Sequence, residues 1–208
     1  MKNPLQYQRT EYDCGPTTLL NALSFLFERE EIPPELVQYV MVYCLDSYSS
    51  DGERGKSGTS YMAMMFLSSW INHFASVKKL PIQISYLSGS EVDTGPNSQI
   101  VGALQQGGVV VARVMYDVWH YVLLTGYEGN TVTLWDPYYR TEPFKTEEGC
   151  IEIISGCPQE KNRRLTIEML SCTDPAPFAL GPVDEREAVI IFNKNTQKTP
   201  ERTIEYFI

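Results

Sequence analysis

Cys14, in the stretch "YDCGPTTLLNAL", stands where a cysteine is better placed for chemistry than for packing. It ends a polar run, and Gly15 and Pro16 follow before an apolar segment begins. Proline is favoured in the first turn of a helix, so we expect Cys14 at or beside the N-cap. There the unpaired backbone N–H groups and the helix dipole favour a thiolate, the nucleophilic form of cysteine. The alternative is that Cys14 is an ordinary buried apolar residue, as most single cysteines are.

A thiolate nucleophile needs a base and a group that orients the base. The chain has two histidines. His73 lies inside a predicted helix with no motif around it, whereas His120 opens a predicted strand after the loop "YDVW" and can reach a cleft. Asp136, at the end of the next predicted strand, could fix the imidazole tautomer and stabilise the imidazolium. The alternative is that Asp136 and Pro137 only start a turn.

The remaining requirement is a donor for the oxyanion that forms when a carbonyl is attacked. Gln8 precedes Cys14 in the polar run, and its side-chain amide and the Cys14 backbone N–H could both point at such an oxyanion. Gln6 is chemically equivalent and stays an alternative, and both glutamines could simply be surface residues.

Composition limits the class of protein. The chain has 208 residues, of which 43% are hydrophobic, and this is enough for one sizeable core, so we expect a single domain over residues 1–208. The net charge is −9 and no Lys/Arg-rich run occurs, so a nucleic-acid partner is not expected. No secretory signal and no long apolar run is visible, so membrane insertion is not expected either.

The other motifs predict neither a metal nor a cofactor. Five cysteines without a C-x-x-C pair indicate free thiols in a reducing cytoplasm, and two histidines support a structural zinc site poorly. The loop "GERGKSG" (52–58) resembles a phosphate-binding loop, but the first glycine of that motif would fall on Ser50. A mobile surface loop is the simpler interpretation.

The elements that must position these residues are helical first and extended later. Apolar periodicity predicts helices over 16–29, 32–45, 61–77 and 98–108, with Thr59 or Ser60 as the cap of the third. Alternation and β-branched runs then predict strands over 82–87, 109–115, 120–127, 131–135, 150–154 and 187–193. Residues 164–170 fit either a helix or a strand. Helices first and an antiparallel sheet second indicate an α+β domain.

The strands 120–127 and 131–135 allow a sharper prediction. Alternation places His120 with Val122 and Leu124 on one strand face, and Asp136 with Leu134 on the facing strand. Both sets can face one core if an odd number of residues forms the loop, and Glu128-Gly129-Asn130 meets that condition. We therefore expect Tyr127 to pair with Thr131, Val122 to pair with Asp136, and His120 to lie diagonally beside Asp136.

Two segments carry a family resemblance. "YDCGPTTLLNAL" and "HYVLLTGYEGNTVTLWDP" resemble papain-like cysteine peptidases, and among these the bacteriocin-processing peptidases that cut after double-glycine leaders. The resemblance implies Cys14 as nucleophile, His120 as base, Asp136 as orienting group and Gln8 as oxyanion donor. It covers residues 1 to about 140, and residues 141–208 would be additional strands and helix. We expect two departures from the family: no fused transporter, and Trp119 where the family often has glycine before the histidine.

The leading hypothesis is therefore a papain-like α+β cysteine peptidase that acts on a peptide or other acyl substrate without a cofactor. His120 would activate Cys14, a thioester would form, and water would release the acid. One alternative is an acyl or peptidyl transferase that uses the same residues and passes the acyl group to an amine or thiol. A second is a binding protein on a peptidase fold, which the intact set of four residues disfavours. The sequence does not predict the oligomeric state.

Overall fold

A computed structural model describes residues 1–144 and 151–199. Its α-helices are α1 (Cys14–Leu26), α2 (Pro34–Tyr43), α3 (Tyr61–Lys78), α4 (Gln99–Gln105) and α5 (Ile167–Ser171). Its strands are β1 (Ile82–Ser88), β2 (Val109–Met115), β3 (Trp119–Glu128), β4 (Thr131–Trp135), β5 (Glu152–Ile153), β6 (Arg163–Thr166) and β7 (Glu187–Asn193). No helix among the described residues is both long enough and apolar enough to cross a membrane.

The seven strands form one antiparallel sheet in the order β1-β7-β2-β3-β4-β6-β5. One face packs against α1 and α3 through a core that includes Leu19, Leu67 and Leu123. The opposite face packs against α4 and α5 through a core that includes Leu104, Leu124 and Leu170. The predicted α+β class, with N-terminal helices on an antiparallel sheet, is confirmed.

The helix ends follow the local chemistry of the sequence. Ser60 caps α3, because its side chain accepts a hydrogen bond from the Ala63 N–H at 3.2 Å. The ambiguous segment 164–170 is both strand and helix: β6 ends at Thr166, whose hydroxyl accepts from the N–H of Met169 and so starts α5. Most of the predicted strand 150–154 is replaced by the short β5, and Cys150 lies outside the described residues.

The chain beyond residue 150 contributes three strands to the same sheet. β6 pairs with β4, the strand that leads to Asp136, and β5 pairs with β6. β7 lies between β1 and β2 and is buried along its whole length. Residues 141–208, whose role the sequence does not predict, therefore supply both an inner strand and the strand next to β4.

Candidate active site

Cys14 is the first residue of α1, and Asp13 is the N-cap. The thiol is buried, with 8% of the residue exposed. α1 is fixed on the sheet by Thr18, whose hydroxyl donates to the backbone oxygen of Tyr121 on β3 at 3.0 Å. This contact places the start of α1 next to the strand that carries His120.

The Asp13 side chain does not cap α1. Its carboxylate instead accepts hydrogen bonds from the N–H of Arg9 and from the N–H and hydroxyl of Thr10, at 2.7–3.0 Å. The carboxylate thus closes the loop that leads into the helix. The first N–H groups of a helix have no intrahelical partner, so those of Cys14 and Gly15 are left for a ligand or for the thiolate.

Gly15 is required by a close approach of the next loop. A Cβ on Gly15 would lie 2.1 Å from the Thr59 Oγ1 and 2.7 Å from the Thr59 Cβ. Thr59 directly precedes the cap of α3, so the start of α3 packs on the residue after the nucleophile candidate. The glycine after Cys14 thus lets two helix starts meet at one point.

His120 and Asp136 lie on the same face of the β3–β4 hairpin, but the predicted loop is wrong. Glu128 pairs with Thr131, so the turn has two residues, Gly129 and Asn130, instead of three. The extra residue is Thr125, a β-bulge between the pairs Leu124–Leu134 and Gly126–Thr133, and the predicted pair Tyr127–Thr131 does not form.

The extra residue at the bulge has the same effect as a third residue in the loop: it keeps the side chains of His120 and Asp136 on the same face of the sheet. Beyond it, Leu124 faces Leu134 and Leu123 faces Trp135, as predicted. Continuing this register by one residue places Val122 opposite Asp136. Gly129 alone in the turn has positive φ, at 60°, as a type II′ turn requires of its first central residue.

The imidazole of His120 is held by the carboxylate of Asp136. Nε2 of His120 lies 2.9 Å from Oδ1 of Asp136, and both residues are buried. Burial by itself lowers the pKa of His120, but hydrogen bonds and charge from Asp136 and Cys14 outweigh it and raise the pKa to about 9. Since Nε2 faces Asp136, Nδ1 is the nitrogen left for Cys14, and a proton on His120 is stabilised from both sides.

Asp136 is fixed by residues that sequence analysis missed. Asn162 binds its backbone twice, accepting from the Asp136 N–H and donating to the Asp136 oxygen, each at 2.7 Å. The N–H of Tyr138 donates to Oδ1 at 2.9 Å, and a guanidinium nitrogen of Arg163 lies 3.6 Å from Oδ2. Asn162 and Arg163 stand in the polar run "KNRRL", which carries no signal that distinguishes it from a surface loop.

Gln8 lies on the N-terminal segment that runs between α1 and the end of β4. Its backbone N–H donates to Pro137, the residue after Asp136, at 2.9 Å. Its side-chain amide donates to the backbone oxygen of Thr10 at 2.8 Å, which leaves one amide N–H for another acceptor. The side chain of Gln6, the alternative donor, bonds to Pro4 and is exposed.

An aromatic side chain, Tyr116, packs beside the imidazole. The ring of Tyr116 lies 5.7 Å from that of His120 and contacts Tyr138 and Phe178. Trp119, the departure from the family pattern, is half-buried, with the Arg113 guanidinium 4.2 Å from its ring centroid. Tyr116 therefore packs against the histidine, whereas the ring of Trp119 packs against Arg113.

The other sequence candidates lie apart from this site. His73 is exposed on α3, and the loop 52–58 is exposed at nearly every residue. Over residues 1–144 and 151–199, no group of three or more His, Cys, Asp or Glu side chains could hold a metal ion.

A comparison with solved structures finds matches at low sequence identity, among them the following three. The peptidase domain of ComA from Streptococcus mutans is 13% identical, with a TM-score of 0.41, over 91% of this chain and 98% of that chain. A second Streptococcus ComA peptidase domain is 16% identical, with a TM-score of 0.42, over 91% and 96%. A double glycine motif protease from an AMS/PCAT transporter, in complex with its leader peptide, is 16% identical, with a TM-score of 0.37, over 65% and 74%.

A comparison with curated proteins finds no match. The comparison with protein families does find one, the Peptidase_C39 like family, over residues 2–152. These residues are well over half of the chain and include Gln8, Cys14, His120 and Asp136. The chain therefore belongs to the Peptidase_C39 like family, as its sequence motifs predict.

Proposed function

We propose that the protein is a cysteine peptidase in which Cys14 is the nucleophile and His120 the general acid and base. Asp136 orients the imidazole, and Gln8 donates to the oxyanion. One observation carries the proposal: the buried imidazole of His120 bonds to Asp136 through Nε2 at 2.9 Å, and Cys14 joins Asp136 in raising the pKa of His120. A buried histidine between a carboxylate and a thiol at a helix start is the arrangement that activates a cysteine.

The proposed reaction starts from the thiolate of Cys14 and the imidazolium of His120. The pKa of His120, raised to about 9, keeps the imidazole protonated at neutral pH, and the start of α1 stabilises the facing negative charge. The sulfur then attacks the carbonyl carbon of the scissile peptide bond. The negative charge moves to the carbonyl oxygen, where the Cys14 N–H and the free amide N–H of Gln8 are the donors.

Collapse of this intermediate breaks the C–N bond. His120 gives its proton to the leaving amine, and the acyl group remains on Cys14 as a thioester. The imidazole, now neutral, takes a proton from a water molecule, whose oxygen attacks the thioester carbonyl. The carboxylic acid leaves, and the thiolate and imidazolium return.

The substrate is a peptide, and the family resemblance makes a double-glycine leader the first class to test. Two glycines before the scissile bond place no side chains against the rings around His120.

Free thiols at Cys14, Cys44, Cys157 and Cys172 suit a reducing compartment, and we propose the cytoplasm. We also propose that residues 1–208 act as one domain, because β7 lies between strands from the N-terminal part.

The test is cleavage of synthetic peptides by the full chain, followed by mass spectrometry. A double-glycine leader peptide is compared with the same peptide carrying two valines at the glycine positions. Hydrolysis of the first that is lost with Cys14→Ala and with His120→Gln, and kept with His73→Gln, supports the proposal. Added amines separate hydrolysis from transfer, because a transferase would yield the amide of the acyl fragment. No cleavage of a broad peptide library, or cleavage by Cys14→Ala, would overturn it.

A further inference from the structure

Arg163 is a buried cation at the far side of Asp136 from His120. It is 1% exposed, and one guanidinium nitrogen lies 3.6 Å from Oδ2 of Asp136. The guanidinium also donates to the backbone oxygens of Asn162 at 2.9 Å and Tyr138 at 3.4 Å. β6 brings Arg163 to this position by pairing with β4, so that Leu134 faces Arg163 across the two strands.

The two oxygens of the Asp136 carboxylate have different partners. Oδ1 accepts from His120 and from the N–H of Tyr138, both at 2.9 Å. Oδ2 is buried and accepts no hydrogen bond from the described residues. The charged group beside it is the guanidinium of Arg163. A buried carboxylate without a counter-charge is costly, and the cost grows whenever His120 is neutral.

We propose that Arg163 is a positioning residue, a permanent counter-charge that keeps Asp136 ionised during the step in which His120 is neutral. This inference rests on the proposed function, because the thioester is hydrolysed only while the imidazole is neutral and can accept a proton. A second buried cation also opposes protonation of His120, so Arg163 sets how readily the imidazole releases its proton.

Arg163 and Asn162 come from the part of the chain beyond residue 152, where the family match ends. The start of β6 therefore supplies contacts to Asp136, which lies inside the family match. Besides Asp136, the titratable groups that face the imidazole within residues 1–144 and 151–199 are Cys14 from α1 and Tyr116 from the β2–β3 turn. Arg140 bonds to the Tyr116 hydroxyl at 3.0 Å and is the other cation of this cluster.

The test is an NMR titration of the imidazole in a Cys14→Ala background, which needs no activity and is independent of the proposed function. The chain has two histidines, and His73, which is exposed on α3, serves as the internal reference for His120. Arg163→Gln should raise the titration midpoint of His120 by about 1 pH unit and leave that of His73 unchanged. Arg163→Lys, which keeps the charge, should stay close to the parent. An unchanged midpoint in Arg163→Gln, or equal shifts in both variants, would overturn the inference.

A second measurement covers the case in which Arg163→Gln does not fold. The substitution is repeated in an Asp136→Asn background, where no carboxylate needs a counter-charge, and unfolding in urea is compared. The proposal predicts that Arg163→Gln lowers the midpoint of unfolding clearly with Asp136 present and much less with Asp136→Asn. Equal loss in both backgrounds would show that Arg163 supports the fold independently of the carboxylate, and the proposal would be wrong.

Discussion

Nε2 of His120 on β3 and Oδ1 of Asp136, the residue after β4, lie 2.9 Å apart, with the ring of Tyr116 beside the imidazole. The hydrogen bond fixes which nitrogen of the imidazole faces Cys14. It also couples the protonation of His120 to a carboxylate that is fully buried. The arrangement therefore has consequences for activity and for stability that can be measured separately.

Asp136→Asn should keep the fold and lose most of the activity. The substitution is nearly isosteric, but it removes the charge that stabilises the imidazolium and permits the wrong tautomer. We expect kcat to fall by about 10⁴-fold, as the same substitution does in a serine protease triad. Circular dichroism controls for folding. Turnover at the wild-type rate would mean that another group orients His120.

Protonation of His120 should stabilise the folded protein at neutral and acidic pH. The pKa of His120 is raised from 6.5 to about 9 by Asp136 and Cys14 despite burial, so the folded state binds the proton more tightly than the unfolded chain. The contribution is full below about pH 6.5 and is lost as the pH rises through about 9. Its upper limit is about 3 kcal/mol.

The comparison that isolates this effect is the free energy of unfolding of the wild type minus that of Asp136→Asn, measured in urea from pH 6 to 10. We expect the difference to decrease with rising pH across that window. A difference that is constant or grows with pH would contradict the assigned role of Asp136 in holding the imidazolium.

Gln8→Ala should lower kcat by about 10²-fold with a smaller change in KM, because the amide acts on the oxyanion that exists only in the transition state. Gln6→Ala is the matched control. Its side chain is exposed two residues away and bonds only locally to Pro4, so its kinetics should match those of the wild type. Equal losses in the two variants would remove Gln8 from its assigned role.

Gly15→Ala should destabilise the protein, although alanine is normally favoured over glycine inside a helix by about 0.5–1 kcal/mol. The new methyl would meet the Thr59 Cβ at 2.7 Å, and overpacking of this kind costs about 1–3 kcal/mol. Gly102→Ala in α4 is the control, since its nearest neighbour would be 3.9 Å away. Thermal unfolding should show a loss for Gly15→Ala, partial recovery with Thr59→Gly, and no loss for Gly102→Ala. Stability equal to wild type in Gly15→Ala would refute the close-approach explanation.

Local patterns predicted much of the fold because they depend on neighbouring residues. Apolar helical segments located α1 to α4, and alternation and β-branched runs located β1 to β4, close to their observed bounds. The hairpin shows the limit of such patterns. For His120 and Asp136 to share a face, one residue more than a two-residue turn must lie between the paired strands. The sequence is equally consistent with that residue in a longer turn or in a bulge at Thr125.

The residues around Asp136 could not be predicted, because their environment is created by pairing between distant segments. Arg163 lies in a run of polar residues, which is typical of a solvated loop. It becomes buried only because β6 pairs with β4 beside a carboxylate. The position of β7 between β1 and β2 likewise depends on the whole sheet.

The most direct test of the central claim is labelling of the folded protein by an electrophilic peptide probe, followed by intact-mass analysis and peptide mapping. Cys14 should be labelled at one equivalent and far faster than any other cysteine. Cys44 is fully buried, and burial raises the pKa of its thiol to about 12, which makes it the internal unreactive reference. Labelling should be abolished by Cys14→Ala and strongly slowed by His120→Gln. Labelling of Cys157 or Cys172 at the same rate as Cys14, or labelling of Cys14 that does not depend on His120, would contradict the assignment of Cys14 as the nucleophile.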